Sequence, residues 1–186
     1  MDRLAATDPD AVLMGDILPN PDESYAANKQ QRIGAEAHLV ALVQALHSTA
    51  DILGHVVYLA LGMDQTPSTR IAQKGISLVQ VCQRLKPGAP IRVALRNLLD
   101  DAEIAHVSAL VNRSKHRAIV EIPVTVDFQE GAHGLSFASF SHHGSPYPRK
   151  WADAFAHEAF EAFQRHTLLV GAELMNELRS RAQAPL

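Results

Sequence analysis

One apolar stripe constrains the fold of this chain more than any other feature. Leu39, Leu42, Leu46, Ala50, Leu53, Val57 and Ala60 recur at steps of three and four residues. That spacing puts them on one side of an α-helix, which must bury the stripe against other elements. Asp22 and Glu23 suit the positive end of such a helix, and Gly62 suits its C-terminal cap. The pattern predicts one helix over roughly residues 24–61. Residues 1–21 hold Pro19, Pro21 and scattered Asp without periodicity, and are read as an irregular arm ahead of a single domain, 22–186.

The rest of the chain supplies partners for that stripe. Ile76 to Leu85 is short and apolar and stops at Lys86-Pro87-Gly88-Ala89-Pro90, where Pro and Gly both interrupt a helix. A further helix starts near Pro90. Its apolar phase slips at Asp100-Asp101-Ala102-Glu103, a start signal for the next helix over 101–116. Ala118 to Phe128 changes character: Ile119, Val120, Ile122, Val124 and Val126 are β-branched, and the 129–134 stretch reads as a turn leading to Leu135, Phe137 and Phe140. The final helix is expected over about 150–180. The fold class is therefore mostly α, an up-and-down helical bundle with a β-hairpin inserted near residues 118–141.

Charge and cysteine content narrow the function classes. The net charge of -3 over 186 residues excludes a coat of basic charge for nucleic acid, so any such site is a local patch. A single cysteine, Cys82, excludes an internal disulfide and a multi-cysteine zinc site, and its apolar surroundings in the sequence read as core. The N-terminus lacks the pattern of a signal peptide, and the apolar stretch Leu39 to Leu61 is interrupted by Gln44, His47, Asp51 and His55. A cytoplasmic protein without a membrane partner and without a cofactor is expected.

Three groups of side chains have spacing with chemical meaning. His47, Asp51 and His55 share a helix face, a weak alternative metal site that needs further ligands. Asn112, Arg113, Ser114, Lys115, His116 and Arg117 close a helix, where cations are already favoured by the helix dipole. Within that group Asn112 and His116 share a face with Lys115 beside them. A buried Asp51 paired with Lys115 or His116 would orient the imidazole for proton transfer, or would fix helix register. Arg92 and Arg96 share a third face and, with Arg117, form the candidate phosphate-holding residues. His142 and His143 sit in a Gly/Pro loop and are read as exposed.

Two of these segments, Leu46-His47-Ser48-Thr49-Ala50-Asp51-Ile52-Leu53 and Leu110-Val111-Asn112-Arg113-Ser114-Lys115-His116-Arg117, resemble the HEPN superfamily of helical bundles. The resemblance spans about residues 36–121. It implies a homodimer and a metal-independent ribonuclease site, with His116 as acid/base, Arg113 or Lys115 stabilising phosphate charge, and Asp51 orienting them. The motif here is non-standard, with two residues between Arg113 and His116. The alternatives from the residues themselves are a non-catalytic interaction protein, in which Asp51, Asn112, Lys115 and His116 form a structural network, and a metal-binding bundle.

Overall fold

The computed structural model describes residues 23–116, 120–129 and 131–183. The expected N-terminal arm, 1–21, lies outside them, as do Arg117 and the first residues of the expected hairpin. The chain is mostly α-helical with a β insertion. In order it runs α1 (Glu23–Ala60), a short 3-10 turn (Gln73–Gly75), α2 (Leu78–Arg84), α3 (Pro90–Asp100), α4 (Ala102–His116), β1 (Val124–Asp127), β2 (Ala132–Phe137), β3 (Phe140–His142), β4 (Ser145–Tyr147), β5 (Lys150–Trp151) and α5 (Ala152–Gln183). It divides into two compact units, Val43–Asn112 with His157–Leu186, and Met1–Leu42 with Arg113–Ala156.

The unit built on Val43–Asn112 and His157–Leu186 is helical. Its core holds Val57, Val81, Leu95, Leu98, Val107 and Val170, all fully buried. Cys82 is buried here too, and burial pushes its thiol up against the lowering pull of Arg92 and Arg96. α1 ends as Gly62 predicts. Gly62 adopts the left-handed conformation, its N–H donates to the Leu59 carbonyl, and the Met63 N–H donates to the Tyr58 carbonyl. The Arg181 guanidinium adds a third cap, donating to the Leu61 carbonyl at 2.8 Å. Gly54 serves a different need: a Cβ there would stand 2.9 Å from the Leu78 backbone nitrogen, so a bare backbone lets α1 approach the start of α2.

α1 carries Gln44, His47, Asp51 and His55 within its apolar run, as the sequence indicates. Within Asn28–Ala60, an 18-residue window reaches a mean hydropathy of 1.3, carried by its Leu, Val, Ile and Ala residues. By length and composition it is apolar enough to cross a membrane.

The other unit carries the strands. β1, β2 and β5 form an antiparallel sheet with β2 central, while β3 and β4 form a separate two-stranded ribbon. β1 is shorter than the β-branched run suggests. Pro123 has no N–H to give a ladder, and its carbonyl instead accepts from Ser136. Phe137 and Phe140, expected on one strand, lie on β2 and β3. The expected loop 142–148 holds a tight turn: His143 and Gly144 both take positive φ, 50° and 81°, as a two-residue hairpin turn requires. Trp151 precedes the final helix as part of β5. Phe137 meets Phe155 edge-on at 5.3 Å, and Phe140 stacks on Tyr147 at 4.9 Å.

Candidate functional site

α4 ends where the β3–β4 ribbon begins to pack, and that junction positions Arg113. Its Nη1 donates to the Ser141 carbonyl at 3.1 Å, and its Cζ lies 5.7 Å from the Phe140 ring centroid. The Arg113 Nε is buried without a hydrogen-bond acceptor among the described residues. Next to Ser141, the His142 and His143 rings meet edge-on, 4.1 Å apart. The ribbon turn thus brings two imidazoles to a strand whose carbonyl holds a guanidinium. Lys115 is exposed, and Asn112 and Ser114 are half-buried. His116 is the last residue of α4.

Asp51 departs from expectation. Its side chain is 51% exposed, and its Oδ2 stands 3.7 Å from Nδ1 of His47 on the same helix. Water solvates this carboxylate, so burial does not force a partner on it. His55 turns back on its own helix, its Nδ1–H donating to the Asp51 carbonyl at 2.9 Å. Among the described residues no three His, Cys, Asp or Glu side chains gather as a metal site. His47, Asp51 and His55 share a face, as their spacing requires, without converging.

The paired arginines of α3 separate in role. Arg92 donates to the Leu85 carbonyl at 2.8 Å, closing the C-terminal end of α2. Arg96 pairs with Asp100 one turn along at 3.3 Å, with both side chains about two-thirds exposed. Arg92 is therefore committed to the fold, and Arg96 is a solvated helix-face cation.

A connected ionisable cluster that motif reading missed centres on Asp101. Asp101 closes α3 and caps α4. Its Oδ1 accepts from the Glu103 and Ile104 backbone N–H groups at 3.0 and 3.4 Å. Its Oδ2 accepts from His166 Nε2 at 3.0 Å and from Arg165 Nη2 at 3.2 Å. Burial pushes the Asp101 carboxyl up, but the His166 and backbone hydrogen bonds outweigh it and hold the group below its ordinary value. His166 is 8% exposed, and its Nδ1 is buried without a hydrogen-bond partner among the described residues. A signal for this cluster does exist in the sequence: Phe163, His166 and Val170 fall on one helical stripe, so the imidazole is placed to be buried and needs an acceptor.

No protein-family profile, curated protein or solved structure matches the chain.

Proposed function

We propose that this chain is an RNA-associated helical bundle of HEPN-like type, with its phosphate-contacting groups at the end of α4. The observation that carries the reading is the seating of Arg113. A guanidinium fixed by a carbonyl and an aromatic ring loses little further side-chain freedom on meeting a phosphate. Beside it stand the imidazoles of the ribbon turn, and two residues on is the exposed Lys115. His116 is the proposed acid/base of a non-standard ribonuclease site, and Arg113 or Lys115 the proposed stabiliser of the charge developing on the scissile phosphate. Arg117, next to His116 in the sequence, is a proposed auxiliary backbone contact.

The homodimer in this proposal draws support from exposed apolar side chains on two long helices. Ile52 and Leu59 of α1 are 63% and 61% exposed, and Leu168 of α5 is 68% exposed. Surface of this kind marks association. Light scattering across a dilution series tests it: Ile52→Lys is expected to give a monomer, and a wild-type chain that stays monomeric at every concentration removes the dimer.

The test of the function is binding and cleavage of a labelled single-stranded RNA in the presence of a chelator. Lys115→Ala, an exposed substitution, is expected to weaken binding and flatten its salt dependence. His116→Ala is expected to abolish cleavage while binding persists. RNA affinity unchanged in both Lys115→Ala and Arg113→Ala refutes the assignment, and cleavage retained in His116→Ala refutes the catalytic role.

A further inference from the structure

β1 is the outer strand of its sheet, and its ladder phase fixes which backbone groups it leaves open. The Ala138 N–H donates to the Glu121 carbonyl, and the Ser136 N–H to the Pro123 carbonyl. Pairing continues without a shift, Thr125 against Gly134 and Asp127 against Ala132. In an antiparallel ladder, hydrogen-bonded pairs alternate with open ones. Glu121, Pro123, Thr125 and Asp127 therefore aim their backbone groups at β2. Ile122, Val124 and Val126 aim theirs the other way, and among the described residues nothing meets them. Proteins commonly block such an edge with proline, a bulge or a lysine. Here Pro123 has its missing N–H on the β2 side, so it omits a bond to β2 and leaves the outer side open. The register carries no bulge, and residues 121–127 hold no lysine.

The side chains of β1 are sorted by face as well. Val124 lies opposite Leu135, on the face where Phe137 meets Phe155. On the other face the Thr125 and Ser136 hydroxyls lie 2.7 Å apart, and Asp127 pairs with Arg149 at 2.8 Å. Phe128, directly after β1, is 92% exposed. Open main-chain groups in ladder phase fit one kind of occupant, an extended strand. We propose that β1 takes up an antiparallel strand from another protein, a segment of about five residues in which apolar and polar side chains alternate. Its apolar side chains stand opposite Val124 and Val126 and extend the apolar face; its polar ones fall beside Thr125 and Asp127. A second copy of the chain is disfavoured as the guest. The homodimer proposed above uses α1 and α5, and a further two-fold contact on the same chain would propagate into open runs of subunits. The inference goes beyond the RNA reading, since neutral amides and valines give a phosphodiester no counter-charge.

The probe is a synthetic peptide, KTVTVTK with blocked ends, added to the ¹⁵N-labelled full-length protein. The Val124 and Val126 amides are expected to shift saturably and to exchange with solvent more slowly once the peptide is bound. Methylating the two valine nitrogens of the peptide keeps its side chains but removes the donors that face β1, and is expected to weaken binding about tenfold. The same composition ordered KVVTTTK, with apolar groups on both faces, is expected to bind severalfold more weakly. On the protein side, Val126→Pro removes an outward N–H at an edge position that tolerates proline. It is expected to abolish the peptide-induced shift at Val124 while circular dichroism remains that of the wild type. The methylated peptide acts on the unaltered protein, so its result holds whether or not Val126→Pro folds. The proposal is overturned if the parent peptide leaves both amides unmoved, or if the methylated peptide binds as tightly as its parent. It is equally overturned if the two amides become protected as protein concentration rises without peptide, because a second copy of the chain then occupies the edge.

Discussion

Removing the Asp101 carboxylate should destabilise the fold more than its place in a helix–helix break suggests. Asp101→Ala deletes the α4 cap, which costs about 1 kcal/mol. It also strands the His166 Nε2–H, which is buried and has Asp101 Oδ2 as its acceptor at 3.0 Å. Leaving a buried donor unsatisfied costs about 1–3 kcal/mol. The Arg165 contact adds little, because that side chain is 59% exposed and solvent takes over its charge. The expected total is about 2–4 kcal/mol, read in urea unfolding as a midpoint lowered by roughly 1–2 M with an unchanged slope. Asp101→Asn isolates the histidine contribution. Its amide oxygen still accepts from the Glu103 and Ile104 N–H groups, but its NH2 opposes the His166 N–H. An imidazole that switches tautomer to accommodate it would bury an Nδ1–H with no acceptor. The expected loss is about 1–2 kcal/mol. The native Asp101 carboxyl ionises more readily than the unfolded one, so its contribution is complete above the ordinary carboxylate range and is lost as pH falls through that range and below. The gap between wild type and Asp101→Asn should accordingly narrow in acid. An Asp101→Ala loss under about 0.5 kcal/mol, or a gap that widens in acid, would refute the reasoning.

Three further substitutions probe other parts of the fold. Gly54→Ala gains helix propensity, worth up to about 1 kcal/mol, yet its Cβ would meet the Leu78 nitrogen at 2.9 Å and Cα at 3.0 Å. Backbone cannot swing aside as a side-chain end does, so a net loss of about 1–3 kcal/mol is expected in thermal unfolding; a stabilised variant would show that α2 shifts freely. Arg181→Ala uncaps the Leu61 carbonyl and should cost about 0.5–1.5 kcal/mol in urea, with Arg181→Lys recovering part of it. His143→Asn retains the turn but suits its positive φ of 50° better, and a gain of about 0.5 kcal/mol is expected; a loss would mean that the contact between the two imidazoles outweighs the backbone preference.

The helices were legible because each carries its own punctuation. The 3.6-residue stripe, Gly62, the Pro87-Gly88 stop, Pro90 and Asp101 act within a few residues of the boundaries they set, and the observed helix ends fall close to the expected ones. The strands were less legible. Whether Phe140 continues the strand of Phe137 or starts another depends on pairing with Tyr147 and on β5 returning to β2, neither of which is a local property. Side-chain partners were the least legible of all. Spacing puts His47, Asp51 and His55 on one helix face, but it does not say that Asp51 faces water, and a solvated carboxylate exerts no demand for a cation. The same demand read from the other direction is informative. His166 lies on the buried stripe of α5, sixty-five residues from Asp101, and an imidazole on such a stripe requires an acceptor whatever the sequence distance. Polar residues that interrupt an apolar stripe are therefore better guides to a connected site than polar residues clustered at one helix end, because only the former are compelled by desolvation to find one another.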